Sequence, residues 1–208
     1  MSNTIITIAR ESGSGGGVVA RLLGQELGLK VYNRPILDKL AEHFNMSVEE
    51  IEKVCAQRNT WWDDICRFYQ QFAAVSYEPG RQTTATPESI YHVEERLLHA
   101  LAEEESCIIV GRAANHVFRD YPQALRLLLI ADRDFRTANL MKYKELTEEE
   151  AAAFIDRRDR DRDNYVRTVT GSSRYDARAY DFVFNITGQE PETVARFLAD
   201  NIRLWMKK

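Results

Sequence analysis

Ile5-Ile6-Thr7-Ile8-Ala9-Arg10-Glu11-Ser12-Gly13-Ser14-Gly15-Gly16-Gly17-Val18-Val19-Ala20 is the stretch that decides the fold. An apolar, β-branched run meets a tight glycine-rich turn, and a helical pattern follows at once. In that order, strand-end amides and first-helix amides converge where no side chain blocks approach, which builds an anion cradle. Gly13, Gly15, Gly16 and Gly17 offer unusual dihedrals and open amides, while Ser12 and Ser14 offer hydroxyls. A purely structural turn is the other reading of the same residues. A usual phosphate loop carries Lys-Ser or Lys-Thr where this chain has Gly16-Gly17 or Gly16-Gly17-Val18. Phosphoryl transfer therefore requires another cation over the moving group, an arginine acting with Mg2+. Arg10, just before the turn, either clamps a phosphate or pairs with an acidic neighbour.

Working outward, residues 4–9, 107–111 and 125–131 are short apolar runs, each followed by helical or turn signals. Phe182-Val183-Phe184 forms another, ending at Asn185-Ile186-Thr187, and Leu29-Lys30-Val31-Tyr32 reads as a fifth strand. Nearly continuous apolar strands separated by helices predict a parallel sheet covered on both faces. Helices are expected from Val18 to the terminator Gly28, from the Ser47/Glu50 capping box to about Gln57, and over Trp61 to Ala74. Thr86-Pro87 opens a long helix to about Glu104, and the Thr147/Glu150 capping box opens another. The last helix, about Pro191 to Met206, places Val194, Phe197, Leu198, Ile202 and Trp205 on one face. The block at 45–90 interrupts the alternation and reads as a helical insert on the substrate side.

Three further places carry chemistry. Asp156-Arg157-Arg158-Asp159-Arg160-Asp161-Arg162-Asp163, with Tyr165 and Arg167 beyond, is the densest charge run. On a helix Arg158 and Arg162 share a face, as do Asp159 and Asp163. Such a helix either neutralises charge on a phosphoryl group or is a solvated surface laced by its own ion pairs. Gly111-Arg112 follows a strand, at the edge where open parallel sheets bind ligands. Arg112 either binds an acceptor phosphate or caps local structure. Asp132 occupies a similar strand end, as an indirect Mg2+ or water contact or as an N-cap for the helix containing Arg136.

Four stretches together resemble the cytidylate-kinase-like branch of the P-loop nucleoside monophosphate kinases. They are Ile6–Gly16, Tyr32-Asn33-Arg34-Pro35-Ile36-Leu37, Ile109-Val110-Gly111-Arg112-Ala113-Ala114-Asn115 and Tyr180-Asp181-Phe182-Val183-Phe184-Asn185. Ser12, Gly13, Ser14 and Gly15 match the family loop; Gly16 stands at its lysine and Val18 at its threonine. Gly111 and Arg112 match a glycine-arginine-aspartate element whose acid is replaced by Ala113 here. The resemblance implies a three-layer α/β P-loop kinase fold with a parallel sheet flanked by helices, the insert at 45–90 and a lid around 147–170. It implies ATP with Mg2+ as donor and CMP, dCMP or a related phosphorylated small molecule as acceptor. Ser12, Gly13, Ser14, Gly15, Gly16 and Gly17 would hold the donor, and Arg34, Arg112, Arg136 and Arg167 the acceptor. Arg10, Arg158 and Arg162 would carry the transferring charge.

The 208 residues suffice for one domain with a full core, and 44% hydrophobic with 29% charged residues is ordinary for a soluble protein. A net charge of -4 argues against a long nucleic acid as partner, and no apolar run reaches membrane-spanning length. Cys55, Cys66 and Cys107 lack metal-ligand spacing and read as small core side chains; His43, His92, His99 and His116 form no metal signature. A cytoplasmic, reducing setting is expected, since no basic leader or cleavage site precedes the first strand. The rival reading is a non-catalytic nucleotide-binding or regulatory protein on the same scaffold. In a third, Trp61, Trp62, Phe68, Tyr69 and Phe72 form a protein-partner surface rather than a helical core.

Overall fold

The computed structural model describes residues 3–32 and 87–206. Arg34, His43, the Ser47/Glu50 capping box, Cys55, Cys66 and the aromatic stretch at 61–72 lie outside the described residues. So does the expected insert, apart from residues 87–90.

Five described strands, β1 (Ile5–Arg10), β2 (Lys30–Tyr32), β3 (Cys107–Val110), β4 (Ala124–Ile130) and β5 (Phe182–Asn185), form one parallel sheet. The order is β2-β3-β1-β4-β5. Central β1 pairs with β3 from Ile5–Cys107 to Ile8–Val110, and with β4 from Ile5–Ala124 to Arg10–Leu129. Between them run α1 (Gly16–Leu27), α2 (Pro87–Glu104), α3 (Ala114–Val117), α4 (Arg133–Lys144), α5 (Glu148–Thr170) and, at the end, α6 (Pro191–Trp205).

Alternation along the strands sets the layers. Ile6, Ile8, Ile108, Val110, Leu125, Leu127 and Leu129 pack against Val19, Ala20 and Leu23 of α1 and Val194, Leu198 and Ile202 of α6. Residues of the other parity, Ile5, Thr7, Cys107, Ile109 and Leu128, are buried as well. Both sheet faces are thus covered, as continuous apolar strands demand, and the fold is three-layer α/β. On the second face α3 packs on β1, and α2 packs on α3. Cys107 sits in this core, where burial pushes its thiol up to about 12.

The helix ends follow their caps. α1 begins at Gly16, two residues before the apolar periodicity suggests, because Gly15 turns the chain at φ 84° just ahead of it. Thr147 and Glu150 form the expected reciprocal box, with N–H···O distances of 3.3 and 2.8 Å. On α6 the buried stripe is narrower than the sequence implies. Phe197 is 53% exposed, touching Phe184 edge-to-face at 5.6 Å, while Val194, Leu198 and Ile202 are buried.

α5 is fastened near its two ends by small apolar clusters. Ala151 and Ile155 pack with Leu140 of α4; Tyr165 and Val166 pack with Ala113, beyond β3. The polar stretch from Asp156 to Asp163 lies between those anchors and crosses the glycine loop. No helix among the described residues is long and apolar enough to cross a membrane.

Candidate active site

The glycine loop leaves the carboxyl end of the central strand, where helices after β1 and β3 depart to opposite faces. Glu11 braces its start. Its N–H donates to Leu129 O at 3.1 Å, and its carboxylate accepts from Ala131 N–H at 2.9 Å. Gly13 is required by space and backbone alike: at φ 79°, an added Cβ would stand 2.6 Å from Arg136 O. The Ser14 hydroxyl donates to Glu11 O at 2.9 Å and accepts from Gly16 N–H at 3.2 Å, so it shapes the loop from within. The N–H groups of Gly13, Gly15 and Gly17 have no acceptor among the described residues. These are the amides available to an anion.

Asp159 on α5 ties the helix to this loop. Buried, it accepts from Ser12 N–H at 3.0 Å and from Arg136 Nη1 at 2.6 Å. Arg162 Nη1 and Arg174 Nη1 lie 3.6 and 3.7 Å from Oδ1, the oxygen that accepts from Ser12. Arg162 Nη1 also donates to the Ser12 hydroxyl at 3.1 Å. Arg174, after the helix, donates to Arg10 O. Its own backbone is fixed by Asp163, which accepts from Arg174 N–H at 2.9 Å and from Ser173 Oγ at 2.7 Å. Tyr180 closes the arrangement by donating to Arg174 O at 2.7 Å.

Positive charge is in excess here. Arg10 is drawn down to about 9 by burial first, then by Arg162, Arg174, Arg112 and Arg158. No carboxylate among the described residues forms an ion pair with it. Arg162 falls to about 10 through burial and Arg174, against the opposing pull of Asp159. A guanidinium remains charged at neutral pH, so both depressions express electrostatic stress that a bound polyanion relieves.

Arg112 comes from the other side of the crevice. It adopts φ 60°, followed by Ala113 at φ 49°, a backbone conformation uncommon outside glycine. Its Nη1 lies 3.1 Å from Glu94 Oε1 of α2, and the fully buried Glu94 also accepts from the Tyr165 hydroxyl. Burial pushes the Glu94 carboxyl up, against the pull of Arg112 and Tyr165. α2, the β3 end and α5 are thereby joined through one carboxylate.

The residues singled out in the sequence separate by position. Arg112, Arg158 and Arg162 are electrostatic neighbours of Arg10; Arg162 touches the loop at Ser12, while Arg158 lies over the Phe154 ring at 6.0 Å. Arg136 lies behind the loop, held by Asp159 and, at 3.7 Å, by Glu11. Arg167 turns to Asp163 at 2.6 Å with its side chain 58% exposed. Arg34 is outside the described residues. Asp132 stands at the N-cap position of α4, where its Oδ1 accepts from Asn185 Nδ2 at 3.3 Å and its N–H donates to Thr187 Oγ1.

Sequence reasoning missed Arg174, Glu94 and Asn139, which donates to Gly13 O at 3.0 Å. Asp159 was visible only as one half of an i, i+4 pair. Among the described residues no three His, Cys, Asp or Glu side chains group as a metal site, and Val18 presents hydrocarbon where a phosphate loop carries a hydroxyl.

A glycine loop at the end of a central parallel strand, roofed by an arginine-bearing helix, defines a P-loop kinase fold. Solved structures share it. A protein from Eubacterium ventriosum ATCC 27560, described as uncharacterized, superposes at a TM-score of 0.69 with 23% identity, over 97% of this chain and 99% of that one. TT1252 from Thermus thermophilus gives 0.56 at 18% identity, over 98% and 99%. Shikimate kinase from Bacteroides thetaiotaomicron gives 0.51 at 13% identity, over 99% of each chain. No curated protein matches the sequence. The model of the cytidylate kinase-like family matches residues 5–188, and the chain belongs to that family.

Proposed function

We propose that this protein is an ATP-dependent phosphotransferase that acts on a small phosphorylated acceptor, CMP, dCMP or a related nucleoside monophosphate. The observation that carries this reading is the concentration of Arg112, Arg158, Arg162 and Arg174 around Arg10, at the end of the strand that leads into three open loop amides, with Asp159 and Glu94 the only buried carboxylates among the described residues. A single phosphate does not require so much positive charge. Two phosphate-bearing ligands meeting end to end do.

The loop amides hold the donor phosphates, and Arg112, anchored by Glu94, receives the acceptor phosphate. An acceptor phosphate oxygen attacks the γ-phosphorus of ATP in line; the bond to the β,γ-bridging oxygen breaks, and ADP departs with that electron pair. The acceptor phosphate is largely dianionic at neutral pH, so no protein base is needed. Arg10, Arg158 and Arg162 stabilise the charge on the group in transit, and α5 with the turn at 171–174 excludes water above it. Mg2+ arriving with ATP would screen the phosphate charge; among the described residues no group of His, Cys, Asp or Glu side chains is arranged to hold it.

The test is ADP formation by purified protein with MgATP against a panel of nucleoside monophosphates and other phosphorylated small molecules, with the phosphorylated product identified by mass. Acceptor-dependent ADP release is expected. Nucleotide binding without turnover across the panel would instead favour a non-catalytic nucleotide-binding protein, the reading to which Gly16 and Val18 give support.

A further inference from the structure

Arg10 lies between two glycines, its stem against Gly16 and the tip of its side chain against Gly111. A Cβ on Gly16 would stand 2.7 Å from Arg10 Cβ and 3.2 Å from its Cγ. A Cβ on Gly111 would stand 2.7 Å from Arg10 Nη1. The arginine therefore starts against the loop residue at the usual lysine position and ends against Gly111, just beyond β3 and next to Arg112. Its direction is set by backbone on both sides rather than by an ion pair, because no described carboxylate holds it. Above it Arg162 and Arg174 both donate to its carbonyl oxygen, which fixes the end of β1 without neutralising the guanidinium.

We infer that Arg10 and Gly16 are a reciprocal exchange: Arg10 supplies the phosphate-loop cation from the strand, and Gly16 is glycine because the arginine passes over it. This deepens the phosphotransferase reading and rests on it for the role of the cation in transfer. A loop lysine approaches from the first turn of the helix. Arg10 approaches from the strand and spans the gap from the donor loop to the acceptor side at Gly111. Being planar and multidentate, its guanidinium contacts oxygens of both groups, which a point-charge ammonium does less well. Gly111, at φ 83°, is glycine by backbone conformation, and an added Cβ there would also press on the movable tip of Arg10.

The exchange is tested by binding of inorganic tripolyphosphate, measured by calorimetry, to the full chain and four variants. R10G should weaken binding about 10- to 100-fold, the loss of a charged multidentate contact. G16A removes no charge, yet should weaken binding comparably by displacing Arg10. In R10G/G16A the second substitution should add less than about threefold, because the two Arg10 contacts are gone and only the Ser14 hydroxyl, 3.2 Å from the added Cβ, remains close. R10G/G16K should recover binding to within about tenfold of the unaltered protein, a smaller residual loss than R10G alone. Independent, multiplying costs of R10G and G16A overturn the inference. So does R10G/G16K binding no better than R10G, or an unaltered protein that does not bind tripolyphosphate. If G16A fails to fold, folding of R10G/G16A supports the clash with Arg10, and failure of both variants overturns it. Tripolyphosphate binding that obeys the exchange, without turnover on any acceptor, leaves the pair standing and removes the phosphotransferase reading. The two failures are distinct.

Discussion

The layer between the sheet and α1 with α6 is made of different material from the layer between the glycine loop and α5. In the first, Val19, Leu23, Leu198 and Ile202 interlock with Ile6, Ile8, Leu127 and Leu129 of the strands in one continuous apolar cluster. In the second, the apolar anchors of α5 among the described residues lie near its ends, and it meets the loop through Asp159, Arg162 and the turn that Asp163 holds. Apolar packing is non-directional and tolerates approximate fit. Charged hydrogen bonds demand geometry, and breaking one leaves an uncompensated buried group. The fold's stability and the site's alignment therefore reside in separate layers, and substitutions should separate them.

Asp159→Ala should have the largest effect, about 3–5 kcal/mol of stability, because it leaves Arg136 buried without its closest partner. It should also loosen phosphate binding, and denaturant unfolding together with tripolyphosphate titration reads both. Unfolding close to that of the unaltered protein would mean that the polar layer is not a structural tie. Leu23→Ala should cost about 3 kcal/mol in the same unfolding experiment, by leaving a cavity beneath α1. Its effect on phosphate affinity of the folded protein should be under about twofold. A large affinity loss would merge the two layers.

Asp163→Asn should cost about 1.5 kcal/mol, through weaker bonds to Arg167, Ser173 and Arg174 N–H. Burial acts to raise the Asp163 carboxyl, but those bonds win and hold it below its ordinary value. The sign follows: the contribution is present above the unfolded-state value and lost as pH falls through the lower folded one. Stability of the unaltered protein should therefore decline across that acidic window more steeply than that of the variant. Equal slopes would remove Asp163 from the account. Thr147→Ala, at the far end of α5, should cost about 1 kcal/mol by thermal unfolding and leave phosphate affinity unchanged.

The contrast also explains what the sequence made visible. Continuous apolar runs announced the parallel sheet, and the caps at Gly28 and Thr147 marked helix ends, because those signals are local. Arg158 and Arg162 were legible as one helix face. Arg174 was not: it lies beyond α5 in an aperiodic turn and reaches Arg10 O only because Asp163 folds that turn back. Glu94 looked like one more charge on a polar helix; only its meeting with Arg112 and Tyr165 makes it a buried anchor. The passage of Arg10 between Gly16 and Gly111 joins residues about a hundred positions apart, and no local pattern encodes it.

The most direct measurement is acceptor-dependent ADP formation from MgATP by the unaltered protein and by Arg162→Ala, each checked for intact fold. The account predicts turnover by the unaltered protein and a loss of about 10²–10³ in rate for the variant, the scale of removing one preorganised cationic donor from the transition state. Binding of ATP without ADP formation on any phosphorylated acceptor, or a variant as fast as the unaltered protein, would contradict it.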